Sequence, residues 1–121
     1  MKLLLPLFAL LLASAAPAQT YTVLCSKAAC GQLKVIAAGG RVEVDYSYRD
    51  NGRGPDQKET LTLAPDGAWL AYRTEGVSTY GARIGDEYAL QDGRASWQST
   101  VDRGERANAP RDLVYLPVQG T

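Results

Sequence analysis

The sequence predicts an all-β protein: an antiparallel meander of about seven or eight strands that forms a curled sheet or a small barrel, preceded by a signal peptide. Three observations predict this fold. Turn signals recur about every eight to fourteen residues once the leading apolar segment has ended. The segments between them alternate apolar and polar residues, which is the period of a strand with one wet face. The links are short, and short links join antiparallel neighbours because a parallel crossover needs about a dozen residues or more.

The segment Arg41–Arg49 shows the alternation most clearly. At a period of two, its apolar and aromatic residues fall on one face and its polar residues on the other, whereas a helical period would scatter them around the cylinder. The first set is Val42, Val44, Tyr46 and Tyr48, and the second is Glu43, Asp45, Ser47 and Arg49.

The remaining strands are predicted from the same period between turn residues. They are Tyr21–Cys25, Cys30–Ile36, Lys58–Leu63, Ala68–Ser78, Ala82–Leu90 and Arg94–Val101, with a short last strand at Leu113–Leu116. Glycine and Asp-Gly pairs favour tight hairpin turns, because these turns need a positive φ. Such residues occur at Ala38-Gly39-Gly40, Pro65-Asp66-Gly67, Tyr80-Gly81 and Asp92-Gly93.

The first eighteen residues are predicted to be a signal peptide. Lys2 supplies a positive start, Leu3–Leu12 is an apolar run, and Ala16 and Ala18 form a small-residue cleavage pattern. We expect export to the periplasm or the extracellular space, with cleavage between Ala18 and Gln19. Mass spectrometry of the exported protein should find Gln19 at its N-terminus, and soluble protein that retains Met1 would contradict this.

Two further segments follow the signal peptide in the predicted organisation. Residues 19–101 form the antiparallel β domain, which is large enough for a single hydrophobic core. Residues 102–121 are interpreted as a polar linker, with charged residues, Gly104 and Pro110, followed by the short terminal strand. On this interpretation, the sequence is expected to be truncated before a catalytic domain.

Composition excludes several classes of function. The thirteen basic and thirteen acidic residues give a formal net charge of zero with no basic stripe, so no nucleic-acid partner is expected. No segment after the signal peptide is apolar enough for stable membrane insertion. The chain has no histidine, which removes the commonest general base and metal ligand. We therefore predict no catalytic residue, no cofactor and no metal on this chain.

Carboxylate pairs are the remaining candidates for chemistry. Asp86 and Glu87 are adjacent, so on a strand they point to opposite faces. Residues of different strands, such as Asp45 and Glu59, can meet across a sheet. Charges on a solvated face produce such meetings by chance, and we interpret these acids in that way.

Cys25 and Cys30 predict a disulfide bond. A four-residue hairpin loop between them would set the two cysteines opposite each other, at the Cβ separation that a disulfide requires. Export through an oxidising compartment and an even cysteine count support the bond.

With these features in place, the chain resembles the β-rich N-terminal domain of secreted bacterial proteins of the amidohydrolase superfamily. The most specific shared element is a loop that directly follows the alternating strand, made of Asn51, Gly52, Arg53, Gly54 and Pro55. Weaker elements are Tyr21–Leu24, Val42–Tyr48, the segment from Gly81 to Asp86-Glu87, Gly93–Trp97 and Tyr115–Pro117.

The resemblance implies a parent enzyme whose metal-dependent barrel hydrolyses an amide or a similar bond. The metal site of that family uses histidines and an aspartate on barrel strands, so no catalytic residue transfers to this chain. The expected function is that of a non-catalytic accessory domain, with a catalytic amidohydrolase-type domain as its partner in the same chain or in trans. The alternative is a free-standing periplasmic β protein that acts as a binding or inhibitor module.

Overall fold

The computed structural model describes residues 16–117 and confirms the predicted all-β meander. Consecutive strands pair antiparallel in one eight-stranded sheet, in the order β1 to β8. Because β1 and β8 are both edges, the sheet is open and the barrel alternative is wrong. The described residues include no helix that could cross a membrane. The strands are β1 (Ala18–Cys25), β2 (Ala28–Ala38), β3 (Arg41–Tyr48), β4 (Asp56–Leu63), β5 (Trp69–Val77), β6 (Arg83–Gln91), β7 (Arg94–Gln98) and β8 (Arg103–Arg106).

Two features near the end of the chain differ from the prediction. The segment interpreted as a polar linker contains β8, which pairs antiparallel with β7. The predicted strand Leu113–Leu116 is not a strand. At the other end, Ala18 already belongs to β1, and residues 1–15 of the predicted signal peptide lie outside the described residues.

The two faces of the sheet differ in chemistry. We call the side that carries Val42, Leu61, Tyr72 and Tyr88 the core face, since the register aligns these positions across the strands. The opposite side, the charged face, carries ion pairs such as Arg73–Glu87, at 3.3 Å. Both side chains of this pair are more than half exposed, so the pair contributes little to stability.

The hydrophobic core lies on the core face over β5, β6 and β7. The buried cluster consists of Tyr72, Tyr88, Leu90 and Ala95. The segment after β8 packs against this cluster with Ala109, Leu113 and Tyr115, so it covers the core instead of extending the sheet. We call residues 109–117 the strap.

The hairpin turns follow the predicted chemistry. Asp92 and Gly93 connect β6 to β7 with φ angles of 50° and 73°. Positive φ at both central positions is the pattern of a type I′ turn, whose twist matches the strands that it joins. The carbonyl of Gly93 also accepts a 2.7 Å hydrogen bond from the Ala109 amide, which fixes the start of the strap.

The predicted disulfide between Cys25 and Cys30 is present, with a Cα–Cα distance of 5.7 Å. The four-residue loop is wrong, because Cys25 pairs with Ala28 and only Ser26 and Lys27 form the turn. The register shifts next to this turn, and Cys30 is the extra residue of a β-bulge in β2. The bond therefore forms between a paired and a bulged residue, not between opposed residues.

Replacing both cysteines with serine should lower the free energy of unfolding by about 2 kcal/mol, because the bond closes a short loop. The far-ultraviolet circular dichroism should keep its strand signature, since the bond joins residues of one hairpin only. Urea unfolding of the wild type and the double variant measures the difference. Unfolding of the variant in plain buffer would contradict this local role.

Candidate functional site

The loop between β3 and β4 is the first candidate site, and Arg49 fixes its shape. One guanidinium nitrogen, Nη1, donates hydrogen bonds to the carbonyls of Tyr48, Gly54 and Pro55 at 2.7, 3.2 and 3.0 Å. At the tip, the backbones of Asp50 and Arg53 exchange two hydrogen bonds of 2.7 and 3.0 Å. The loop is thus a small, closed structure anchored to the end of β3.

The structure divides the five predicted loop residues into two groups. Gly54 and Pro55 are buried, whereas Asn51, Gly52 and Arg53 are exposed. Gly54 lies so close to β3 that a Cβ atom there would overlap the Tyr48 carbonyl oxygen. The buried pair therefore holds the loop against the sheet, and the exposed residues are available for contact with a ligand or partner.

A polar row on the core face is the second candidate site. Glu59, Thr74 and Asp86 are aligned across β4, β5 and β6 by the strand register. Thr74 and Asp86 are each 2% exposed. The hydroxyl group of Tyr115, on the strap, donates a 3.1 Å hydrogen bond to Oδ2 of Asp86. The row therefore places a carboxyl group under the strap, where it has a defined donor.

The candidate carboxylate pairs of the sequence do not form. Asp45 is paired with Lys58, so these two side chains lie on the same face. Glu59 follows Lys58 in β4 and therefore points to the opposite face from Asp45. Asp86 and Glu87 also point to opposite faces, as expected, with Asp86 on the core face and Glu87 beside Arg73. The row containing Glu59 and Asp86 has no signal in the sequence, because only the pairing register aligns residues that are distant in sequence.

Aromatic rings surround the polar row on the strap side. The Tyr115 ring lies 5.7 Å from the Tyr88 ring and 5.8 Å from the Tyr72 ring, measured between centroids. Burial, with Asp86 adding to it, raises the pKa of Tyr115 to about 12. Burial also raises the pKa of Tyr72 and of Tyr88. In the folded state, these three phenol groups therefore keep their protons to a higher pH than in the unfolded chain.

We expect stability to decrease at alkaline pH. An unfolded tyrosine ionises near pH 10, whereas Tyr115 in the folded protein keeps its proton up to about pH 12. Its contribution is complete below about pH 10 and is lost as the pH rises through about 12. Urea unfolding at about pH 9 and pH 11 should show the decrease, and Tyr115→Phe should reduce it. Equal pH slopes for the two proteins would contradict the assignment to Tyr115.

An ion pair holds the strap to the turn between β4 and β5. Arg111 donates two hydrogen bonds of 3.0 Å to the two carboxylate oxygens of Asp66. This bidentate contact lowers the pKa of Asp66 and raises that of Arg111. Together with the Ala109 amide and the Tyr115 hydroxyl, it gives the strap three separate polar anchors.

The core face over β1, β2 and β3 is covered much less. Every buried hydrophobic residue in the described part of the chain lies between Ala68 and Ala95. Tyr21, on β1, is 51% exposed, and Val23, Leu33 and Val44 are only partly buried. We call this half of the core face, formed by β1 to β3, the open face.

Among residues 16–117, no group of three or more His, Cys, Asp or Glu side chains is arranged to hold a metal ion. Comparison with protein-family models, curated proteins and solved structures finds no significant match to this chain.

Proposed function

We propose that this chain is a non-catalytic accessory domain of an exported amidohydrolase-like protein, and that the open face binds the catalytic domain. The uneven cover of the core face carries this proposal. The strap seals the half over β5 to β7, whereas the equivalent half over β1 to β3 exposes Tyr21 and partly exposes Leu33 and Val44. Continuous apolar surface of this kind is typical of a protein interface.

The edge strand β1 extends the open face and supports the same proposal. An edge strand presents unpaired backbone groups, and proteins usually protect such an edge with charges or with short strands. The edge strand β8 has only four residues, three of them charged. In contrast, β1 has eight residues and no charge. A partner that packs on the open face therefore finds a free strand edge beside it.

The interpretation as an accessory domain rests on the resemblance of the Asn51–Pro55 loop and on the absence of histidine from the chain. The carboxyl groups also offer little room for catalysis. Thr74 separates Glu59 from Asp86 in the polar row, and the Tyr115 hydroxyl occupies one oxygen of Asp86. The bond from Tyr115 thus gives the buried carboxyl group of Asp86 a structural role in holding the strap.

Two experiments test the proposal. Purified Gln19–Thr121 should hydrolyse neither amide nor ester substrates in zinc-supplemented buffer, and metal-dependent turnover by a homogeneous preparation would contradict it. Co-expression with an amidohydrolase-type domain encoded in the downstream reading frame should give a complex that co-purifies. Tyr21→Glu should weaken that complex, whereas Thr22→Glu, on the opposite face of β1, should not. Failure of a soluble pair to co-purify would refute the partner assignment.

One observation favours the alternative, a free-standing binding or inhibitor module. The strap completes the core over β5 to β7 without help from another domain. A protein of this type would remain a stable monomer in spite of its open face. Its sedimentation behaviour therefore distinguishes the two functions.

A further inference from the structure

A cleft opens between two turns at the end of the sheet where β3 ends and β6 begins. The β3–β4 loop forms one wall, and the turn that connects β5 to β6 forms the other. The cleft has a volume of about 510 Å³ and is lined on its two sides by Arg49, Gly52, Arg53, Thr79, Tyr80 and Gly81. Binding sites for small molecules have volumes of about 300–1,000 Å³, so the cleft can accommodate one small ligand.

The lining of the cleft is positively charged. It includes two arginines, Arg49 and Arg53, and no acidic residue. Arg49 uses Nη1 on three loop carbonyls, and its Nη2 lies 4.0 Å from Asp56. Among residues 16–117, the side chain of Arg53 makes no hydrogen bond or ion pair. Its planar fork of donors is therefore available, and such a fork fits a carboxylate with two parallel hydrogen bonds.

The opposite wall presents an aromatic ring. Tyr80 is 84% exposed, although its turn is held by three hydrogen bonds. Ser78 takes part in all of them, with the amide and carbonyl of its backbone and with its hydroxyl oxygen; the bonds join it to Gly81 and Ala82 at 2.8–3.2 Å. The turn therefore fixes the backbone at Tyr80 and presents the ring to water, where it offers apolar contact area to a ligand.

The backbones of both walls are held in place by hydrogen bonds within the protein. Arg49 and the Asp50–Arg53 hydrogen bonds hold the loop, and the Ser78 hydrogen bonds hold the turn. A Cβ atom at Gly52 or Gly81 would meet nothing within 4 Å, so the backbone there is open to an approaching molecule. The backbone of the site therefore needs no ordering when a ligand binds, and only the side chains of Arg53 and Tyr80 have to be ordered.

We propose that this cleft binds a small aromatic carboxylate. Arg53 pairs with the carboxylate group, and Tyr80 packs against the ring of the ligand. Neither group is used by the open face or the strap, so the inference is independent of the proposed accessory function. The neutral amide analogue lacks the charge that Arg53 recognises, and acetate lacks the ring.

The test is a titration of ¹⁵N-labelled Gln19–Thr121 with benzoate, followed by heteronuclear NMR. Benzoate should give saturable shifts at the amides of residues 51–54 and 79–81. Benzamide and acetate should each bind about tenfold more weakly, which corresponds to the loss of roughly one good contact. No saturable shift with benzoate, or equal binding of benzamide, would overturn the proposal.

Variants separate the two contacts. Arg53→Gln and Tyr80→Ala should each weaken benzoate binding by about tenfold, and both side chains are exposed, so the fold should be retained. Arg106→Gln, on β8, makes the same change of charge away from the cleft and should leave the affinity unchanged. An equal loss in Arg106→Gln would show a general charge effect and would refute the site.

Discussion

Gly54→Ala should be the most destabilising single-methyl change in the β3–β4 loop. The added Cβ would overlap the carbonyl oxygen of Tyr48, which is backbone and cannot rotate away. Overpacking of this kind costs about 3 kcal/mol, and the three hydrogen bonds of Arg49 depend on the same loop path. The midpoint temperature of thermal unfolding should decrease by at least about 10 °C for a domain of this size.

The matched control is Gly52→Ala, two residues earlier in the same loop. Gly52 has a φ of 75°, and a Cβ atom there would meet no other atom within 4 Å. Only the conformational strain of a positive φ remains, at about 1 kcal/mol. Equal destabilisation by the two changes would show that the close approach of Gly54 to β3 is not what holds the loop.

Removal of the Tyr115 side chain, one of the three anchors of the strap, should also lower the stability of the protein strongly. Tyr115→Ala removes two aromatic ring contacts and the hydrogen bond to Asp86. Loss of a packed aromatic side chain costs about 3 kcal/mol, and loss of the donor leaves the buried carboxyl group of Asp86 with one partner fewer. Denaturant unfolding should show a lower midpoint, and the near-ultraviolet dichroism of the aromatic cluster should decrease.

Two variants at and beside this position separate the contributions. Tyr115→Phe keeps the ring and removes the hydroxyl, so it should lose about 1 kcal/mol. Val114→Ala, at a residue that is 57% exposed, should have almost no effect. If Val114→Ala destabilised the protein as much as Tyr115→Ala, the strap would not be held in the way that the structure shows.

The meander was predictable because its signals are local. Alternation in Arg41–Arg49 and the pair Asp92-Gly93 each report a conformation within a few residues. The edge strand β8 carries no such signal. Its sequence, Arg-Gly-Glu-Arg, has no apolar alternation, and Gly104 faces the ring of Trp97, where a side chain would not fit. A short charged edge strand therefore looks like a linker.

The segment Leu113–Leu116 shows what alternation does not determine. Leu113 and Tyr115 pack on the core, whereas Leu116 is 83% exposed. All four residues of this segment are apolar or aromatic, so the sequence does not indicate which of them face the core. Nor does it indicate whether the backbone pairs with a strand, and here the segment crosses the core face instead.

The polar row and the cleft depend on contacts between distant parts of the chain. Glu59 and Asp86 come together on one face only because two hairpins set the register of three strands. Arg53 and Tyr80 line one cleft because both turns lie at the same end of the sheet. The cysteine pair was predictable from spacing, but the bulge at Cys30 has no signal in the sequence.

Sedimentation velocity of purified Gln19–Thr121 over a range of concentrations tests the central claim, that the open face is a binding surface. The wild-type domain on its own should self-associate, since its apolar half lacks the partner domain. Tyr21→Glu, which places a charge on that face, should restore the monomer, whereas Thr22→Glu on the opposite face should not. A wild-type protein that stays monomeric at all concentrations would contradict the claim.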